Sequence, residues 1–297
     1  MTEFYSHGKL LITGEYTVLD GSMSLAVPTK FGQSLTVSPI SKNEIVWKSF
    51  DINKKLWFET NFSTLNMDQI FKNKIHDSLI NSFKIIKDLK PELFKKNGFE
   101  FNTFLEFPQN WGLGSSSTLI NNLAQWAGVD PFQLLEKTFG GSGYDIACAQ
   151  SSRPIIYQKI NGKVNKIQPI SFNPSFKEKI FFVYRNKKQN TREAISHYKS
   201  LRKITKKDIS KINTITKTII LTSKIKEFEN LIGEHEMIIS KLIKQPPLKK
   251  IKFSDYDGAI KSLGAWGGDF FLATGSDQEY FKKKGYETII SYKDIIL

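Results

Sequence analysis

Residues 112–118 read Gly112-Leu113-Gly114-Ser115-Ser116-Ser117-Thr118, and their neighbours downstream decide the reading. Leu119, Ile120, Leu123, Trp126 and Ala127 recur on one face at helical spacing, and Gly128 stops the run. A glycine turn that opens a helix leaves backbone N–H groups unpaired at the positive end of the helix dipole, with no side chain to keep a ligand away from them. That combination suits phosphate. The hydroxyls of Ser115 and Ser116 could bond phosphate oxygens or a magnesium ion. The string has neither the Gly-Lys-Ser/Thr of a Walker A loop nor the spacing of a dinucleotide fingerprint. Taken alone it also fits a Ser-capped helix start after a flexible turn.

Upstream, Phe99, Phe101, Thr103, Leu105 and Phe107 alternate with polar residues, which predicts a half-buried strand leading to the loop. Before it, Ile75, Leu79, Phe83 and Ile86 predict a helix, with Asp68 as its cap and Pro91 just past its end. The opening of the chain predicts a short strand at Lys9–Ile12 ending at Gly14, a turn at Asp20-Gly21, and a hairpin of Ile45–Phe50 with Leu56–Phe58. Downstream, Asp130 and Pro131 start a helix that runs to about Phe139 and breaks at Gly140-Gly141. Asn161-Gly162 signals another hairpin, and residues 179–184 a buried strand. Residues 190–243 read as helix in about three pieces, with a capping box at Thr205 and Asp208. Residues 254–262 read as a further helix, Phe270–Ala273 as an apolar strand, and Thr288–Tyr292 as a last strand. The change from β-rich to helix-rich sequence suggests two domains, residues 1–165 and 166–297.

Composition narrows the class. The chain has 297 residues, with 43 basic and 29 acidic side chains and a net charge of +14. The lysines are scattered rather than clustered, and there is no base-stacking array, so no nucleic-acid partner is expected. A positive field would steer phosphorylated or carboxylate substrates. The single cysteine, Cys148, forbids an intrachain disulfide and reads as core filling, and four histidines make no Cys/His metal cluster. With no long apolar run and no signal-like start, we expect a cytoplasmic protein without a membrane partner. The sequence leaves a homodimer open.

Three further segments carry chemistry. In Gly140-Gly141-Ser142-Gly143-Tyr144-Asp145-Ile146-Ala147 an aspartate sits among small residues, suited to orienting or deprotonating a hydroxyl, or else to an Asx-turn. In Gly8-Lys9-Leu10-Leu11-Ile12-Thr13-Gly14-Glu15-Tyr16, Lys9 is either a charge reaching into a cleft or a solvated lysine at a strand start. Lys261-Ser262-Leu263-Gly264-Ala265-Trp266-Gly267-Gly268-Asp269 is either a loop closing over phosphates or a tight turn.

The order and spacing of these four segments resemble the GHMP kinases, which include galactokinase, homoserine kinase, mevalonate kinase and phosphomevalonate kinase. Gly8–Pro28, with Gly14-Glu15 and Ala26-Val27-Pro28, is similar to the first family motif. Gly112–Ser116 is similar to the second, and Gly264–Asp269 to the third, normally Gly-Ala-Gly-Gly-Gly. The resemblance covers essentially the whole chain. It implies an α+β fold in two lobes, an N-terminal mixed α/β lobe and a C-terminal ferredoxin-like one, and an ATP-dependent kinase using Mg²⁺. By position it implies that Gly112, Leu113, Gly114, Ser115, Ser116 and Ser117 wrap the ATP phosphates. Asp145 would be catalytic with Lys9 paired to it, Ser116 and Glu136 would ligate Mg²⁺, and Glu15, Gly264, Ala265, Gly267 and Gly268 would face phosphate or acceptor. Tyr16 in place of the usual His, Gly267-Gly268-Asp269, and the string Gly143-Tyr144-Asp145-Ile146-Ala147 resemble the phosphomevalonate branch and a bacterial subgroup named for that last string. The expected acceptor is therefore phosphomevalonate or mevalonate, in isoprenoid precursor synthesis. The alternatives are a sugar or homoserine, or a catalytically silent binding protein in which Trp266, replacing a family glycine, blocks the site.

Overall fold

The computed structural model describes residues 1–67, 73–95, 97–201 and 204–297. The chain forms two compact units, each assembled from separated stretches: residues 1–8, 31–109 and 114–150 make the first, and residues 9–30, 110–113 and 151–297 the second. Two long strands, β1 (Thr2–Thr13) and β2 (Ser24–Ile40), contribute residues to both.

In the first unit, β3 (Glu44–Phe50) and β4 (Leu56–Ser63) form the expected hairpin, β3 runs parallel to β5 (Gly98–Leu105), and β5 is antiparallel to β2. Register places Val37, Trp47 and Phe101 in one row across three strands. Alternation puts that row on one face of the sheet. Against it lie α1 (Lys74–Leu89), α2 (Ser115–Ala127), α3 (Pro131–Thr138) and the short α4 (Tyr144–Ala149), whose Phe83, Leu123, Leu134 and Ile146 are fully buried in the same core. Trp47 stacks on Phe101 at 5.4 Å, and Trp126 meets Phe101 edge-on at 4.8 Å. Asp130 caps α3 as expected. Helix α1 is capped by Asn73, whose side chain accepts the Ile75 N–H; Asp68, the cap expected from sequence, lies outside the described residues.

In the second unit, Ser24–Ala26 of β2 pair with β6 (Ile155–Ile160), which turns at Asn161-Gly162 into β7 (Lys163–Pro169). A separate antiparallel sheet has the order β11-β8-β10-β9, from β8 (Ile180–Tyr184), β9 (Ile260–Ser262), β10 (Phe270–Thr274) and β11 (Ile289–Ser291). Helices α5 (Thr191–Leu201), α6 (Lys206–Leu221), α7 (Ile225–Ile243) and α8 (Leu248–Lys252) separate β8 from β9, and α9 (Glu279–Lys283) separates β10 from β11. A β-α-β-β-α-β chain path with that strand order is ferredoxin-like. The capping box at Thr205 and Asp208 is present.

The helix expected over residues 254–262 does not form. Gly258 presses so closely on β10 that a Cβ there would lie 1.9 Å from the Thr274 carbonyl oxygen, and Ile260–Ser262 pair as a strand with Phe271–Ala273. Sheet pairing overrides local helical spacing here. The last strand likewise stops at Ser291, where Tyr292 opens α10 (Tyr292–Ile295). Lys9 lies within β1 rather than at its start. Cys148 is fully buried. Among the described residues no helix is long and apolar enough to cross a membrane.

Candidate active site

In the first unit the expected phosphate loop becomes the start of α2. Gly114 takes a left-handed conformation (φ 95°, ψ 36°) as the N-cap, and no side chain caps the helix. The first-turn N–H groups therefore have no capping side chain to satisfy them. The three serines divide: the Ser117 hydroxyl donates back to the Gly114 carbonyl at 2.8 Å and is buried, Ser115 is half-buried, and Ser116 is exposed. Behind them Thr118 donates to Gln33 Oε1 at 2.7 Å, which pins the helix start to β2.

Asp145 stands in the first turn of α4, after the left-handed Gly143 (φ 89°). It is half-buried, and its Oδ1 accepts the Ile146 N–H at 3.2 Å. Its helix packs against α2 and α3 within this unit. Glu136 is exposed on α3. Among the described residues no three His, Cys, Asp or Glu side chains cluster as a metal cage.

In the second unit Lys9 crosses to the opening of the same loop. Its Nζ donates to the Gly112 carbonyl at 3.0 Å, and its own N–H donates to the Leu113 carbonyl at 2.9 Å. Asp269 meets this point from the third segment. Gly112 has φ 69°, and a Cβ on it would lie 2.2 Å from the Asp269 carboxyl carbon. Burial pushes the Asp269 carboxyl above the usual range, while Lys9, the Gln189 N–H, Lys188 and Arg185 pull it back. The Gln189 N–H bonds Asp269 Oδ1 at 3.2 Å.

The Gly264–Asp269 loop is fixed from several sides. Tyr16 Oη donates to the Ala265 carbonyl at 2.9 Å, Arg185 Nη1 donates to the Trp266 carbonyl at 2.5 Å, and the Asp269 N–H donates to the Lys187 carbonyl at 2.7 Å. Gly268 is glycine because Lys187 approaches: a Cβ would lie 2.3 Å from its carbonyl oxygen. At Gly267 a Cβ would meet only the end of the Gln189 side chain, at 1.8 Å. Trp266 keeps the left-handed φ (60°) of a glycine. Its indole is buried with Tyr16, Tyr198, Ile239 and Ile243 rather than exposed over the loop. Glu15 is fully buried, its Oε1 bonded to Lys261 Nζ.

Sequence reading did not single out Asp269 as a neighbour of Gly112, nor Arg185 and Gln189, which stand in no motif. The buried His235 and Glu236 were also missed, yet they left a signal. Ile232, His235, Glu236, Ile239 and Ile243 follow the spacing of the apolar stripe of α7, so two polar residues occupy core positions. Such residues need buried partners.

No protein-family model and no curated protein matches the sequence. Solved structures do match, over nearly the full chain. Phosphomevalonate kinase of Streptococcus pneumoniae, solved with phosphomevalonate and AMPPNP, aligns with a TM-score of 0.72 at 15% identity, covering 98% of this chain and 100% of that one. Mevalonate kinase of Methanococcus jannaschii aligns with a TM-score of 0.71 at 15% identity, over 97% of this chain and 96% of that one. Galactokinase of Lactococcus lactis, complexed with galactose, aligns with a TM-score of 0.70 at 14% identity, over 97% and 92%. The chain thus has the α+β fold of these small-molecule kinases, the GHMP kinase fold that its motifs resemble.

Proposed function

We propose that this protein is an ATP-dependent small-molecule kinase whose acceptor is a small acidic metabolite, phosphomevalonate or mevalonate. One observation carries the reading: the string Gly112–Ser116 opens a 13-residue helix without a side-chain cap, in a fold that a kinase solved with AMPPNP shares. The donor set fits a nucleotide triphosphate. First-turn N–H groups and the hydroxyls of Ser115 and Ser116 would hold its phosphates. The exposed Ser116 hydroxyl and Glu136 carboxylate supply hard oxygen ligands of the kind Mg²⁺ takes alongside phosphates, where it would neutralise charge.

Phosphoryl transfer needs positioning and charge neutralisation more than covalent chemistry. Asp145 would accept or orient the acceptor's hydroxyl proton. Lys9, held at the Gly112 carbonyl, would offset negative charge on the moving phosphoryl group. Asp269, raised by burial and drawn part of the way back by Lys9, lies against Gly112 beside that cation. The net charge of +14 favours an anionic acceptor. Tyr16, Asp269 and the Gly143–Ala147 string support the phosphomevalonate branch. A galactokinase of the same fold keeps a neutral alcohol, such as a sugar or homoserine, as the second acceptor class. The burial of the Trp266 indole with Tyr16 and Tyr198 speaks for an active kinase over a silent protein blocked by that side chain.

The test is ADP release from Mg²⁺·ATP by purified protein with mevalonate, phosphomevalonate, homoserine or galactose. Turnover with either mevalonate compound supports the whole reading, and turnover with homoserine or galactose moves the acceptor. Absence of ATP binding would overturn the kinase assignment.

A further inference from the structure

Two three-residue turns in the second unit carry strain on non-glycine residues. Tyr16 has φ 61° and ψ −49°, and the Thr17 N–H reaches back to the Glu15 carbonyl at 2.6 Å. That is a γ-turn with positive φ, the rare and strained hand. Trp266 repeats the pattern: its φ is 60°, and the Gly267 N–H reaches back to the Ala265 carbonyl at 2.7 Å. Bulky aromatic residues avoid positive φ, so such turns persist only where their surroundings over-determine them.

The surroundings are a buried polar network built on consecutive residues of α7. His235 Nε2 accepts the Gly14 N–H at 2.9 Å, just before the first turn. Because Nε2 is an acceptor there, and burial holds the ring neutral, its 3.5 Å approach to Glu15 Oε2 is not an ion pair. Glu236 accepts the Ser262 N–H at 3.1 Å and the Ser262 hydroxyl at 2.8 Å, just before the second turn. Lys261 joins the two halves. Its Nζ bonds Glu15 Oε1, donates to the Ser262 carbonyl at 2.8 Å, and lies 3.8 Å from Glu236 Oε2. Glu15, His235 and Lys261 have no solvent exposure. The Tyr16 hydroxyl then ties the first turn directly to the Ala265 carbonyl in the second.

We infer that Lys261, acting through Glu15 and Glu236, is a positioning residue that holds the Tyr16 and Trp266 turns in their strained form and in register. The inference rests on the kinase reading for its consequence in turnover. The clamp itself does not depend on that reading. Buried charges are a poor way to gain stability, since desolvation offsets most of their attraction. A fixed geometry is the use left to them: Glu15 and His235 meet the first loop segment, while Glu236 holds Ser262 at the end of β9 and also accepts the Leu248 N–H at the start of α8.

The test compares the full-length protein with Lys261→Met, Glu15→Gln and the Glu15→Gln/Lys261→Met double variant. Hydrogen exchange is followed by residue segment, and steady-state kinetics with Mg²⁺·ATP run in parallel. The clamp predicts faster exchange at residues 14–18 and 263–268 together, with β8 and β10 unchanged. It predicts a roughly 10- to 100-fold loss of turnover with little change in KM for ATP, the signature of misplacement rather than lost binding. The double variant, freed of unpaired buried charge, should recover thermal stability without recovering turnover. Exchange that stays at the wild-type level in both loops overturns the inference, and so does exchange that rises uniformly through the second unit. Should Lys261→Met fail to fold, Glu15→Gln decides on the same criteria. If the wild-type protein neither binds ATP nor turns over an acceptor, the kinase reading fails and the exchange pattern still judges the clamp.

Discussion

Gly112 and Asp269 compete for one space: the Asp269 carboxyl carbon lies 2.2 Å from where a Cβ on Gly112 would be. The glycine is therefore required twice, for its φ of 69° and for the carboxylate against it. Alanine at 112 must displace Asp269 and so disturb the Gln189 N–H bond and the carboxylate's electrostatic pairing with Lys9. Gly112→Ala should cost roughly 1–3 kcal/mol of stability. In Gly112→Ala/Asp269→Ala part of that cost should return, with a coupling of about 0.5–3 kcal/mol in a double-mutant cycle read by denaturant unfolding. Strict additivity would mean that the two residues do not meet.

For the chemistry, Asp145→Ala should lose several orders of magnitude in turnover while still binding ATP. The expectation follows from its half-buried place in the first turn of α4 and from the proton-handling role proposed for it. Lys9→Met should also lose turnover, because the Gly112 carbonyl loses its cation and the moving phosphoryl its counter-charge. Ser116→Ala should weaken use of Mg²⁺·ATP. ATP binding by calorimetry separates the cases, and near-normal turnover in Asp145→Ala removes that residue from the mechanism.

Glu15 gives the stability a pH signature. Burial pushes its carboxyl up to about 7, against the downward pull of Lys261. The folded state therefore holds a proton that the unfolded chain releases at an ordinary glutamate pKa of about 4.3. Stability from this group is fully present below that value and is lost as pH rises towards 7, by on the order of 3 kcal/mol in all. Glu236, also raised by burial, adds in the same direction. Glu15→Gln should flatten this part of the curve between about pH 4.5 and 7, measured by chemical denaturation at each pH. An unchanged slope would show that Glu15 stays ionised beside Lys261.

Much of the architecture was legible in the sequence because local rules and the fold agree. The strand of Phe99 to Leu105 alternates, Asp130-Pro131 caps α3, Asn161-Gly162 turns a hairpin, and Thr205 with Asp208 boxes α6. Gly112 to Ser116 could be recognised because helix-start chemistry is local. Residues 254–262 misled for the opposite reason: the approach of Gly258 to Thr274 and the pairing of Ile260–Ser262 depend on a partner strand that local spacing does not contain. The Asp269–Gly112 approach and the Glu15–Lys261 pair likewise join residues far apart in the chain, and no window covers them.

Trp266 sets two opposing effects against each other, and their sizes decide the sign. Replacing it with the family's glycine would release a positive φ, which costs a bulky residue about 1–3 kcal/mol. It would also remove the indole N–H, which is buried without a partner, a penalty of about 1–3 kcal/mol. Against this, the indole is 4% exposed among Tyr16, Tyr198, Ile239 and Ile243, and deleting a buried tryptophan side chain leaves a cavity worth about 3–5 kcal/mol or more. Glycine also adds backbone freedom to the unfolded chain. The cavity should prevail narrowly, so Trp266→Gly should lower the melting temperature by a few degrees. Trp266→Phe keeps most of the packing and removes the orphan donor, and should be nearly neutral. ATP affinity should not improve in either variant, since the indole faces the core and not the loop surface. A large gain in ATP binding on Trp266→Gly would mean instead that the tryptophan obstructs the nucleotide, and would restore the case for a silenced kinase fold.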